Sequence, residues 1–457
     1  MKNVGISASR SVYPFGIFVL TAIVLSCLSA MSIELLVAAG VLGIIVGHVL
    51  ADDSEAYWKT IFESMGSRTA MTAILLWLLV SVYGHVLQSG HIVEGLVWAA
   101  DALSMGPSHF TMVVFLFSAL FAVSTGSGFG TISSMSITLF PAGVAIGAHP
   151  ALIGGAILSG AALGDSIAPV SDTAIIAAST QSYGNDNSRV ANLAESVRQR
   201  LPIVLIALLL TLVAYWLFGQ GTTSGRRGLL HTQAGDYKGL FLLLPTFVVM
   251  FLAFRRVNIF VSLSIGILLS VIIGLVFSLF RPSDIICVSS EGGVGGAVVA
   301  GISSMSSICI LLIVVVALSG LVIRSGFIES VIHPLQETMT TKPHASELFI
   351  FFLSSLAGIL IAAVNTIANI SIAPIINYIG NEHQIHPYRR VTILALSICT
   401  FPFILPYGGC VLLLLNGVNS TACGTSLQPY QLLYTTFYPL ILLPCILWYC
   451  LFSSKNK

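Results

Sequence analysis

The chain of 457 residues consists of apolar runs, each about the length that crosses a bilayer, repeated from one end to the other. Inside hydrocarbon, backbone N–H and C=O groups must be paired without water, so lipid-exposed runs can only be helices or strands of a closed barrel. Barrel strands alternate in hydropathy and these runs do not. The reading is an all-α polytopic membrane protein. Composition agrees, with 56% apolar and 8% charged residues. Most charges fall between the runs, and no basic patch with interleaved aromatics points to nucleic acid. The eight cysteines (Cys27, Cys287, Cys309, Cys399, Cys410, Cys423, Cys445 and Cys450) are scattered and form no Cys-x-x-Cys, so neither a disulfide framework nor a zinc site is indicated.

Fourteen segments can be drawn, at about 14–30, 33–50, 69–88, 109–124, 131–147, 151–180, 201–219, 239–254, 259–280, 305–324, 346–364, 367–380, 391–417 and 431–452. Tyr13 to Met31 follows Lys2 and Arg10 like a signal peptide, but reads as an uncleaved first span. Counted from inside, fifteen Lys and Arg fall on one face and four on the other, the latter being Arg226, Arg227, Lys238 and Arg281. The positive-inside rule then puts both termini in the cytoplasm, and the expected setting is a bacterial-type inner membrane. Arg389 and Arg390 read as topology-setting charges. Asp52 to Arg68 is amphipathic and suits the membrane interface.

The chain also repeats itself. Val80, Gly84, Ser89, Gly90 and Ile92 recur as Val316, Gly320, Ser325, Gly326 and Ile328, a shift of 236. His149, Pro150 and Pro169 recur as His386, Pro387 and Pro406, a shift of 237. The shift carries segment three onto ten and six onto thirteen. Seven segments is an odd number, so the second copy should be inverted in the membrane, an architecture that places a site near the midplane between copies. The expected organisation is a first repeat at 1–219, a linker at 220–238 and a second repeat at 239–457, with broken or re-entrant helices. Segments four and five could pair as a re-entrant hairpin without changing that parity.

Three polar interruptions lie at membrane depth. The first is Gly164-Asp165-Ser166-Ile167-Ala168-Pro169-Val170-Ser171-Asp172-Thr173. Intramembrane carboxylates are costly and mark function. Pro169 cannot donate to the carbonyl of Asp165 and crowds it, so the helix should break between the two aspartates. On a straight helix the seven-residue step would set them about 10 Å apart, too far to share one ion unless the break brings them together. Ser171 and Thr173 flank Asp172 with oxygens, which favours Asp172 as the direct ligand and Asp165 as the coupled proton carrier. The second interruption, Ser124 to Thr131, offers Thr125, Ser127 and Thr131 around three glycines. Its counterpart in the second half is Asn365, Thr366 and Asn369. The third, Pro402 to Gly409, repeats the break without an acid. Structural roles compete with each: helix capping for the aspartates, close packing for the small residues and interhelical hydrogen bonds for the asparagines.

Gly-Asp-x-x-x-Pro-x-Ser-Asp-Thr at 164–173, after a turn ending Gly130-Thr131, resembles the NhaC-type sodium/proton antiporter family of the ion transporter superfamily. Leu405-Pro406-Tyr407 is similar to that family's Leu-Pro-Trp element. Ala168 stands where the family usually has Ser, Thr125 to Phe129 replaces a Gly-Thr-Ser-Trp-like run, and the segment after Arg389-Arg390 lacks an acid often found there. The resemblance implies a secondary active transporter exchanging sodium for protons, without cofactors beyond the transported Na+ and H+. Asp165 and Asp172 would hold the ion, with Ser171, Thr173, Thr125, Ser127, Thr131, Asn365, Thr366 and Asn369 around them. The alternative is a sodium- or proton-coupled transporter of a small organic solute, an amino acid or carboxylate. Expected partners are membrane lipid and the small substrate; a homodimer is one assembly such a carrier could form. An enzyme is not expected. An intramembrane aspartyl protease would need Gly-x-Gly-Asp and a second acid on another helix, and His-Glu-x-x-His is absent.

Overall fold

The structure is a computed structural model that describes residues 4–27, 33–168, 171–183, 190–219, 237–255, 257–288, 293–327, 330, 343–362, 365–421 and 427–452. Pro169 and most of the expected linker, 220–236, lie outside the described residues, as does the side chain of Asp172.

The chain is helical nearly throughout. The first half runs α1 (Val12–Cys27), α2 (Ile33–Val49), α3 (Ser54–Met65), α4 (Arg68–Ser89), α5 (Ile92–Ala102), α6 (Pro107–Thr125), α7 (Gly128–Ala145), α8 (Pro150–Ile167), α9 (Asp172–Thr180) and α10 (Leu193–Phe218). After a 3-10 turn at Tyr237–Leu242 come α11 (Leu243–Phe254) and α12 (Ile259–Val276). A small antiparallel ribbon, Cys287–Val288 on Val294–Gly295, precedes α13 (Ala297–Arg324). Then follow α14 (Pro343–Leu360), α15 (Asn365–Glu382), α16 (Pro387–Ile398), a 3-10 turn at Phe401–Phe403, α17 (Gly409–Asn419), α18 (Pro429–Thr435) and α19 (Phe437–Phe452). Among the described residues six helices are long and apolar enough to cross a membrane, or seven if the bent pair α18 and α19 is one span.

Two of the most apolar helices, α10 and α12, lie at the outside. Of its spanning window, α10 has 28% buried, whereas α8 has 89%. On α10 and α12, Leu209, Leu210, Val213, Leu268, Ile272 and Val276 point outward as a lipid-facing surface would require. In α8, glycines buy close approach instead. A Cβ on Gly160 would lie 2.6 Å from Phe115 O of α6, and one on Gly164 would lie 2.1 Å from Ala122 Cβ. The sequence drew α8 and α9 as one segment with a break; the helix does stop at Ile167, with Ala168 extended, and restarts at Asp172. The segment at 391–417 is likewise interrupted, between Ile398 and Gly409. Missing from the drawn segments is α5, an eleven-residue helix whose Glu94 and Asp101 hide its apolar face.

Helix starts keep the step found in the sequence. Pro107 is followed by Pro343 at 236, and Gly128, Pro150 and Asp172 by Asn365, Pro387 and Gly409 at 237. His149 and His386 each cap the helix that follows, accepting from Ala151 N and Tyr388 N. Several contacts between the halves match under that step: α9 on α15 and α7 on α17, α10 on α16 and α8 on α19.

Candidate functional site

The broken helices meet around Asp165, in the last turn of α8 and 5% exposed. Thr125 ends α6, Gly126 takes φ +65° as a glycine readily can, and α7 starts at Gly128 behind the N-cap Ser127. The Gly128 N–H donates to Asp165 Oδ1 at 2.9 Å. From the other half, Asn365 at the start of α15 donates through Nδ2 to Asp165 Oδ2 at 3.4 Å. Gly128 and Asn365 occupy matching positions in the two halves, so counterpart helix starts converge on one carboxylate. An α-helix presents roughly half a positive charge at its N-terminus, which favours an anionic group there. A third N-terminus, that of α9, opens beside them, where Ser171 and Thr173 share a hydroxyl hydrogen bond of 2.8 Å.

A cavity of about 350 Å³ opens onto this point. Of the residues singled out in the sequence, Thr125, Ser127, Asp165, Ser171, Thr173, Asn365 and Thr366 line it. Thr131 and Asn369 do not. Thr131 is buried one turn into α7, its hydroxyl donating to Ser127 O at 2.9 Å. Asn369 stands behind the wall, its Nδ2 donating to Thr173 O at 2.7 Å. The Oδ1 atoms of Asn365 and Asn369 are buried without a hydrogen-bond partner among the described residues. Buried carbonyl oxygens are seldom left so, and a hard cation would satisfy them together with a carboxylate.

Spacing in the sequence did not disclose the rest of the wall. Thr72 and Leu76 of α4 and Val257 to Phe260, where α12 begins, also line the cavity. Gly128 sits against the carboxylate: a Cβ there would come within 2.7 Å of Asp165 Oδ2 and 3.0 Å of Phe403. Cys399, just after α16, places its thiol 3.5 Å from Thr173 Oγ1.

Arg389 and Arg390 do more than set topology. Arg389 forms a two-pronged pair with Glu347 of α14, at 2.6 and 2.5 Å, with side chains only 15% and 4% exposed. Its guanidinium also lies over the Tyr449 ring. Arg390 is buried and bridges the halves, donating to Asn377 O and Oδ1 and to Ser182 O at 2.9 to 3.0 Å. A charge count along the chain cannot reveal either, because the partners lie on other helices.

The Na(+)/H(+) antiporter NhaC of Bacillus subtilis is 23% identical over 306 residues, 62% of this chain and 65% of that protein. The match thus spans just under two thirds of that relative's length. The malate-2H(+)/Na(+)-lactate antiporter of the same organism is 23% identical over 334 residues, 70% of this chain and 69% of that one. The solved structure of the Alcanivorax borkumensis YdaH transporter aligns over 96% of this chain and 97% of that chain at 14% identity, with a TM-score of 0.42. A family model described as the Na+/H+ antiporter family matches residues 4–221 and 237–398. That is most of the sequence, and the chain belongs to the Na+/H+ antiporter family.

Proposed function

We propose that the chain is a secondary active transporter that exchanges sodium for protons across a bacterial-type cytoplasmic membrane. The observation that carries the reading is Asp165: a buried carboxylate at the end of a polar cavity, approached by helix starts from both halves, with the amide of Asn365 beside it in the cavity wall. Asp165 holds the cation when ionised and takes the proton when the cation leaves. Asp172 at the head of α9 completes the charge, and Ser171, Thr173 and Asn365 supply neutral oxygens. The two halves are inverted repeats, both termini are cytoplasmic, and alternation of one half against the other carries the site from face to face. The chain is a carrier and not an enzyme, it needs no resident cofactor, and it sits among lipid with a homodimer as its assembly.

A second reading has its own support. A cavity of about 350 Å³ falls at the small end of the range for small-molecule sites, well beyond a bare ion. The relative named as a malate-2H(+)/Na(+)-lactate antiporter carries organic acids by its name. Proteoliposomes containing the purified chain separate the readings. Sodium, lithium and potassium gradients should each be applied with an internal pH dye, followed by amino acids and carboxylates. The first reading expects sodium alone to move protons. Solute uptake with no cation-driven pH change would replace it with the second.

A further inference from the structure

Arg200 lies in α10, fully buried, and none of its Nε, Nη1 and Nη2 atoms has a hydrogen-bond partner among the described residues. Burying an ionised group without a partner is among the costliest arrangements in a fold. The other buried cations are engaged: Arg389 by Glu347, and Arg390 by Asn377 and the Ser182 carbonyl. On α10 itself, Arg198 and Glu195 pair at the exposed surface. The electrostatic neighbours of Arg200 are Cys399 and Tyr438. Cys399 in turn lies within 3.5 Å of Thr173 Oγ1 and interacts with Asp165 and Asn365. α10 packs against α8, α9 and α16, and Cys399 is an electrostatic neighbour both of the Arg200 guanidinium and of Asp165.

A guanidinium paired with a carboxylate presents little net field. An unpaired one, buried away from water and salt, is screened far less and acts over a longer range. A transport site must bind its cargo firmly enough to load and weakly enough to let go. We infer that Arg200 is a positioning residue for charge: its field weakens the grip of the Asp165 site on sodium so that the ion can leave. The inference rests on the sodium reading above.

The test uses the purified full-length protein, with sodium titrated at one fixed alkaline pH where protons compete least. Sodium binding is read from the rise in melting temperature in detergent, and transport from KM and kcat in proteoliposomes. Neutralising the charge in Arg200→Gln or Arg200→Met should lower the half-saturating sodium concentration about tenfold, the equivalent of one pKa unit, and lower kcat with it. Arg200→Lys should restore both. A purely structural residue would not tighten binding when removed. Where the neutral variants fail to fold, Tyr438→Glu sets an acid beside Arg200, cancels its field and should tighten sodium in the same direction. Half-saturation unchanged or raised in these variants would overturn the inference while leaving the sodium reading intact. A wild-type protein that sodium does not stabilise would remove both.

Discussion

Helices break at matching places in the two halves, between Ile167 and Asp172 and between Ile398 and Gly409. With the step of 237, Asp165 falls on Pro402, Ser171 on Gly408, Asp172 on Gly409 and Thr173 on Cys410. The second break is tied to backbone carbonyls, its own and those at the end of α14. Gly409 N donates to Ala362 O at 3.0 Å, Gly408 N to Leu405 O at 2.8 Å and the Tyr407 hydroxyl to Ile359 O at 3.0 Å. The first break instead leaves a carboxylate to the helix starts at Gly128 and Asn365. Two breaks at matching positions thus carry unlike chemistry, and the charge that can bind a cation or a proton lies at the first.

The second half does own a buried acid, Glu347, but Arg389 holds it. That contrast gives the largest expected effect. Arg389→Met strands a buried carboxylate and should cost about 3–5 kcal/mol of stability. Asp165→Asn keeps an oxygen for the Gly128 N–H and should cost about 1 kcal/mol or less, in the range of one hydrogen bond. Thermal melting of the two variants in detergent compares them directly, and equal losses would erase the distinction between a structural and a working acid.

The breaks themselves can then be set against each other. In Gly408→Ala the new Cβ would lie 2.3 Å from Pro402 O, an overpacking of the kind that costs about 1–3 kcal/mol; melting should fall while sodium half-saturation holds. Gly128→Ala should do the reverse, crowding Asp165 Oδ2. Half-saturation by sodium should rise about tenfold, equivalent to about 1.4 kcal/mol, with little loss of melting temperature. If Gly408→Ala weakened sodium binding as much as Gly128→Ala, the second break would have to be counted as part of the site.

The smallest effect concerns the paired caps His149 and His386. Partial burial, and then Arg390, lower the His386 pKa below its ordinary value. The unfolded chain therefore takes up the proton more readily, so stability is lost as pH falls below the ordinary histidine pKa of about 6.5 and is complete above it. His386→Asn keeps a capping oxygen and should flatten the change in melting temperature across that window. An unaltered pH dependence would place its origin elsewhere.

The breaks were legible in the sequence because they need residues that lipid-facing helices avoid. Proline, glycine and acids at membrane depth mark Gly164 to Thr173, and glycines with hydroxyls mark Ser124 to Thr131. Even the helix starts at Gly128 and Asn365 follow the shift read from the chain. What stayed hidden is which face of each helix turns inward. Residues Thr72 and Val257 to Phe260 carry no special chemistry, yet they shape the cavity. The partners of Arg390 lie far away in sequence, at Asn377 and Ser182. In the sequence Arg200 is one more charge at the end of a span, and only packing shows it buried without a hydrogen-bond partner among the described residues. A uniform apolar background hides inward faces, because lipid and protein interior ask for the same side chains.

The central claim is that Asp165 carries cation and proton in turn. Proteoliposomes holding Asp165→Asn, folded as judged by melting, should show no proton movement when a sodium gradient is applied, while the wild-type chain shows it under the same gradient. Sodium-driven proton movement by Asp165→Asn at the wild-type rate would contradict the account.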